Sequence, residues 1–204
     1  MKEYPTIEKT LHPGAPVYGF DKLDGSGVRA EWDRKKGFWK FGRRHGLLDD
    51  SNPHLTKVDQ LILAKYGDDL HRIFKDARYT EATAFFEFWG PLSFAGNHVT
   101  GDDQTVTLFD VSVYKKGILE PREFVKLCQG IDYARVVFHG NFSAEIAEQV
   151  RLGTLEGMTF EGVVFKGPCV SPGRPLMFKV KSDAWKAKLR DYCKGDEALY
   201  ERLL

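Results

Sequence analysis

"FDKLDGS", residues 20–26, sets Lys22 two positions before the Asp24–Gly25 pair, between stretches that alternate apolar and polar side chains. Asp-Gly in such a setting is a hairpin signal, because glycine adopts positive φ without steric cost and aspartate tolerates it. Candidate strands flank it: "PVYGFDK" (16–22) and "VRAEWD" (28–33), joined through Asp-Gly-Ser-Gly, with "GFWKFG" (37–42) close behind. Taken alone, Lys22 is a charge beside a turn. A nucleophilic role needs support from the rest of the chain.

Working outward, residues 1–15 carry Pro5 and Pro13 without sustained periodicity and read as an extended lead-in. The stretch "LTKVDQLILAKYGDDLHRIFKDA" (55–77) has apolar residues at helical spacing despite Gly67, giving one helix or two broken near that glycine. Strands are expected at "ATAFFEFWG" (82–90), "QTVTLFDVSVYK" (104–115), "ARVVFHG" (134–140), "FEGVVFKG" (160–167) and "PLMFKVKS" (175–182). Between them fall a short helix at "PREFVKLC" (121–128) and a helix at "SAEIAEQVRL" (143–152) opened by Ser143 as N-cap. "SDAWKAKLRDYCKGDEALYERLL" (182–204) reads as one or two helices capped by Ser182. Neighbouring strands with inserted helices make the class α+β with antiparallel sheets, and one domain over 1–204 is the economical reading.

Composition narrows the function classes. The 204 residues include 42% hydrophobic and 29% charged side chains, ordinary for a globular protein able to bury a core, and no apolar run approaches the roughly 18 residues of a membrane span. The N-terminus has no signal-like apolar segment, and three dispersed cysteines favour a reducing, cytoplasmic setting over a disulfide framework. The histidines (12, 45, 54, 71, 98 and 139) show no metal-binding spacing and read as surface or turn residues. No glycine-rich phosphate loop of the GxxxxGK[ST] or GxGxxG type occurs, so a nucleotide would be held by side chains on sheets. Net charge is +1, but "RKKGFWKFGRR" (34–44) interleaves six basic residues with Phe38, Trp39 and Phe41, a pattern suited either to a single nucleic-acid strand or to a charged hairpin.

Four further stretches bear on Lys22: "FFEFWGP" (85–91), "LFDV" (108–111), "FEGVVFKG" (160–167) and "FKVKS" (178–182). In a strand, alternate residues share a face, so Lys179 and Lys181 project side by side with Val180 turned away. Two adjacent ammonium groups repel one another and suit an anion such as polyphosphate.

With "KLDG", these stretches resemble, in order, the motifs of the covalent nucleotidyltransferase superfamily, which contains ATP-dependent DNA and RNA ligases and mRNA capping enzymes. The resemblance runs from about residue 18 to 182 and is strongest, through "KLDGS" and "FEFWGP", to RNA ligases of the phage type. DNA ligases usually have an arginine two residues after the motif glycine, where this chain has Gly27 and reaches arginine only at Arg29. The implied fold is an ATP-grasp-like adenylation domain of antiparallel sheets with flanking helices.

What the resemblance implies about residues is specific. Lys22 is the nucleophile that takes AMP from ATP, with Asp24 and Gly25 shaping its turn and Asp21 in the nucleotide site. An unperturbed lysine has a pKa near 10.4, so cationic neighbours and burial must make the neutral amine accessible. Glu87 corresponds to the ribose-binding glutamate, Phe109 to the aromatic stacked on adenine, and Val164 to the packing on its other side. Glu161 would handle magnesium or manganese, Lys179 and Lys181 the phosphates, and Lys166 the later steps. Arg29 and Arg44 are candidates for the 5′-phosphate or AMP phosphate. Glu87 also has a bland reading as a solvent-facing strand residue, Phe109 as core and Lys166 as a solvated strand-end lysine.

The implied activity is three-step RNA ligation: adenylylation of Lys22, transfer of AMP to an RNA 5′-phosphate, and sealing by a 3′-hydroxyl. A ligase for nicked duplexes, including nicked DNA, a capping guanylyltransferase, and a non-catalytic nucleic-acid module are the alternatives. Only 23 residues follow Lys181, where many ligases add a C-terminal domain, so the expectation is a minimal enzyme, a fragment, or the catalytic half of a complex in which a partner protein replaces that domain.

Overall fold

Val58, Ile62, Tyr66, Leu70 and Phe74 recur every four residues and are all buried, which makes one stripe of α1 (Val58–Asp76) the cover of a sheet. Gly67 does not break this helix. Its cost of about 1 kcal/mol relative to alanine is outweighed by burial of Tyr66 and Leu70 on either side, worth about 1.5–3 kcal/mol for a fully buried large apolar side chain. In the computed structural model, residues 3–48, 55 and 57–204 are described. His54 and Thr56, which figure in the expectations above, lie outside them.

The chain divides into two compact units. One comprises Gly25–Tyr133 and Cys169–Pro175 with the N-terminal stretch to Thr6. Its five-stranded sheet runs β3 (Gly37–Arg43), β2 (Ser26–Asp33), β4 (Glu81–Trp89), β5 (Thr105–Val113) and the two-residue β6 (Gly117–Ile118), every pairing antiparallel. Trp32 packs on Phe74 with ring centroids 5.3 Å apart, and Tyr66 on Phe86 at 5.2 Å. Helix α2 (Pro121–Leu127) follows β6, with proline in its first turn where no amide donor is needed.

The second unit comprises Ile7–Asp24, Ala134–Pro168 and Leu176–Leu204. Its sheet has the order β7 (Val136–Asn141), β1 (Pro16–Lys22), β8 (Gly162–Ser171), β9 (Arg174–Lys181). One face is the core: Val17, Val163, Phe165, Phe178 and Val180 pack with Phe142 and with Ala147 and Val150 of α3 (Ala144–Leu152). Ser143 caps α3 by accepting from the Ile146 amide at 3.3 Å. Two helices close the chain, α4 (Asp183–Cys193) and α5 (Glu197–Leu203), and Ser182 caps the first by accepting from the Trp185 amide at 3.1 Å.

The hairpin expected at Asp24–Gly25 is not there. β1 pairs with β7 and β8, whereas β2 pairs with β3 and β4, so the turn passes the chain from one sheet to the other. Gly25 is also absent from the positive-φ glycines. Its role is close approach: a Cβ there would lie 2.2 Å from the Phe88 carbonyl oxygen, a contact no side chain tolerates. Among the described residues no helix is long and apolar enough to cross a membrane.

Candidate active site

Strand register assembles the first group of side chains. Antiparallel pairing sets Lys22 opposite Gly162, Phe20 opposite Val164 and Tyr18 opposite Lys166. Side chains directly opposite one another share a face, so Lys22, Val164 and Lys166 lie on the face away from the core that holds Val163 and Phe165. On β9, Phe178 and Val180 take the core, which sends Lys179 and Lys181 to the other face, as alternation requires.

Glu161 immediately precedes β8 and is 3% exposed. The Lys22 ammonium lies 2.8 Å from its Oε2, and the Lys181 ammonium 2.9 Å from its Oε1. One buried carboxylate is thus shared by two lysines from separate strands. Gly162 makes this possible: its φ is 149°, and a Cβ there would fall 2.1 Å from the Val180 carbonyl oxygen. Only glycine lets the chain run this close to β9.

The charges perturb one another. Burial alone would push the Glu161 carboxyl up, but Lys22 and Lys181 hold it below the ordinary carboxylate range. Burial, reinforced by the charges of Lys181 and Lys22, brings Lys179 down to about 8. Lys181 is lowered by burial as well, with Glu161 opposing. Both of these lysines also meet the end of helix α5: Lys181 donates to the Leu203 carbonyl at 3.2 Å and Lys179 to the main-chain oxygen of Leu204, just after the helix, at 2.8 Å. The Lys181 ammonium sits 3.6 Å from the centre of the Trp185 ring, whose indole N–H donates to Asp24 at 2.6 Å. Lys166, 2% exposed, lies 4.7 Å over the ring of Phe20.

Asp21 is not brought into this group. It alternates to the opposite face from Lys22, and its carboxylate accepts from the amide and hydroxyl of Thr159 at 2.8 and 3.1 Å. Burial raises its pKa against those two hydrogen bonds. Trp185 and Thr159 escaped the sequence reading. Trp185 left one faint signal, an aromatic one turn into the helix after "FKVKS"; Thr159 left none.

The remaining candidates belong to the other unit. On β4 and β2, Glu87 pairs with Gly27 and Phe85 with Arg29, so Glu87, Phe85 and Arg29 share the sheet face opposite α1. Glu87 is half-buried. Arg29 is 3% exposed and donates from Nη1 to the Arg44 carbonyl at 3.1 Å, while the Arg44 side chain is exposed. The Nε atoms of Arg29 and Arg43 are buried without a hydrogen-bond partner among the described residues. A buried guanidinium with an open donor is a poor structural element and a natural anion ligand. Phe109 is the extra residue of a β-bulge, since pairing skips from Phe85–Asp110 to Phe86–Leu108. Its ring meets Tyr4 edge-on at 5.0 Å and stacks on Phe85 at 6.4 Å, and the Tyr4 hydroxyl donates to Asp110 at 2.8 Å.

Among the described residues no cluster of three or more His, Cys, Asp or Glu side chains exists to cage a metal. Glu161 offers a single carboxylate, and both of its oxygens are engaged by Lys22 and Lys181.

No family model matches the sequence, and no curated protein matches it. Solved structures do resemble it. An archaeal ATP-dependent RNA ligase aligns with a TM-score of 0.67 at 20% identity, over 95% of this chain and 52% of that one. A lysine-to-alanine variant of Naegleria gruberi RNA ligase, with ATP and Mn, aligns at 0.61 and 19% identity over 91% of this chain and 59% of that one. The Naegleria gruberi RNA ligase with pyrophosphate aligns at 0.59 and 20% over 93% and 60%. The chain therefore spans between half and three fifths of the length of these structures. The α+β architecture of two antiparallel sheets with flanking helices is the fold that this chain shares with these RNA ligases.

Proposed function

We propose that the chain is the adenylylating part of an ATP-dependent RNA ligase, with Lys22 as nucleophile. The observation that carries this reading is the Lys22–Glu161–Lys181 arrangement, two lysines from different strands converging on one buried carboxylate. It is electrostatically costly as a structural feature, because desolvating three charges is offset only when geometry and further hydrogen bonds are good. Chemistry on phosphate accounts for it.

In this reading the neutral Lys22 amine attacks the α-phosphorus of ATP. The N–P bond forms as the bond to the β,γ-diphosphate breaks, and pyrophosphate leaves beside Lys179 and Lys181. Glu161, held ionised by its neighbours, orients Lys22 and would bind a magnesium or manganese ion, which neutralises phosphate charge. Glu87 binds the ribose, and Phe109 and Val164 contact adenine. Asp24, fixed by Trp185, and Gly25 present the lysine. Lys166 assists the transfer of AMP to an RNA 5′-phosphate, which Arg29 and Arg44 receive; the open Nε of Arg29 supports this role. A 3′-hydroxyl then displaces AMP and seals the strand. Likeness of fold to RNA ligase structures with ATP and Mn and with pyrophosphate supports the choice of substrate.

The test is incubation with ATP radiolabelled at the α-phosphate and a divalent cation. Covalent label on the wild-type chain and none on Lys22→Ala is expected. An unlabelled wild type contradicts the reading, and stronger labelling by GTP than by ATP redirects it to capping chemistry.

A further inference from the structure

A cavity of about 400 Å³ lies in the first unit, on the sheet face that also carries Arg29 and Glu87. Its floor is built by alternation: Glu31 and Asp33 continue the Arg29 row on β2, Thr83 and Glu81 continue the Glu87 row on β4, and Ser112 sits opposite Thr83 on β5. Thr83 is four residues from Glu87, roughly 13 Å along the strand. Trp39 and Tyr114 are further lining residues.

Neither ring is spent on the core. Trp39 is 49% exposed and Tyr114 55%. Trp39 is also the extra residue of a β-bulge, since pairing jumps from Trp32–Phe38 to Glu31–Lys40, and bulges re-aim side chains. Lysines attend both rings: Lys36 and Lys40 lie 4.7 and 5.5 Å from the centre of Trp39, and Lys115 lies 5.4 Å from that of Tyr114. Lys115 holds a left-handed φ of 61°, which a lysine adopts at a cost.

From this combination we infer that the groove is a subsite for unpaired nucleotides of the RNA strand, a conclusion that rests on the ligase reading and extends it away from the reacting ends. Each component has a partner on a single strand. Exposed rings stack on bases, lysines beside them meet phosphates, and the Glu31 and Glu81 carboxylates accept from the N–H groups of base edges, while Asp33 is held by the Lys35 and Lys36 amides. A paired helix buries its base faces within its own stack and leaves none for Trp39 or Tyr114. The occupant is therefore single-stranded RNA.

The experiment is fluorescence anisotropy with a labelled, 5′-phosphorylated single-stranded RNA of mixed sequence, at fixed salt because phosphate contacts are salt-sensitive. Trp39→Ala and Tyr114→Ala should each weaken binding roughly five- to tenfold or more, the consequence of losing a base–aromatic stack, while Trp39→Phe stays within about threefold of wild type. Circular dichroism of the variants checks that their fold is intact. Wild-type affinity in both alanine variants overturns the subsite, and so does an equal loss for a blunt RNA duplex, which has no free bases to stack. The two readings fail separately: RNA binding that depends on Trp39 without any label on Lys22 removes the ligase chemistry, and a labelled Lys22 with RNA binding indifferent to Trp39 and Tyr114 removes only the groove.

Discussion

Glu161 is the buried carboxylate that Lys22 and Lys181 share, and its removal is the sharpest test at the residue scale. Glu161→Gln takes that negative charge away, leaving Asp24 as a weaker counter-charge to the buried Lys181. Breaking a buried pair costs about 3–5 kcal/mol, and the low end is expected because the Lys22 side chain keeps 21% of its exposure. Urea denaturation measures it. The pH dependence has a definite sign: the folded carboxyl titrates below its ordinary value of 4.5, so its contribution is complete above that value and is lost as pH falls through the lower folded one. Acid unfolding of Glu161→Gln should accordingly be less steep than that of wild type. Lys179 behaves in the opposite range. With its folded value near 8, burying its charge costs stability below that pH, and the cost is relieved as pH rises toward 10.5. Above pH 8 it loses the charge that would hold phosphate, so the apparent KM for ATP should climb by up to about tenfold per pH unit, and Lys179→Arg should flatten the rise.

Among the elements, α5 bears most directly on the lysines. Leu203 and the adjoining Leu204 present main-chain oxygens to Lys181 and Lys179, where phosphate oxygens are expected to bind. The helix is anchored by buried Tyr200, with the Arg190 guanidinium 4.2 Å over its ring. Tyr200→Ala loosens that anchor and should lower the ATP concentration needed for half-maximal labelling by several-fold; an unchanged or higher value would mean that α5 does not compete with phosphate. On β8, Gly162→Ala should destabilise the chain by at least about 2 kcal/mol in urea unfolding, because φ of 149° and the Val180 carbonyl at 2.1 Å both exclude a side chain. How legible these elements were follows from their physics. The long strands and α1 showed in the sequence because burial of one face imposes a period of two or about 3.6. β6, two residues long, has no period to display. The Asp24–Gly25 hairpin was misread because glycine signals both positive φ and close packing, and only the partner backbone of Phe88 tells them apart.

Across the whole molecule, motif order along the chain anticipated the strands that carry Lys22, Lys179 and Lys181 and the place of Glu161 just ahead of β8, and the order β1, β8, β9 brings that set together within one unit. The contacts of α5 left no trace in the sequence, since backbone carbonyls are the same for every residue. Division of the chain into two units likewise depends on which strands pair rather than on any linker composition. Every role assigned above depends on one bond, between the Lys22 nitrogen and the phosphorus of AMP. Peptide mapping by mass spectrometry after incubation with ATP and a divalent cation tests it most directly. The expected result is an AMP adduct on the peptide containing Lys22, removed by added pyrophosphate. An adduct at another lysine, or none, would contradict the account.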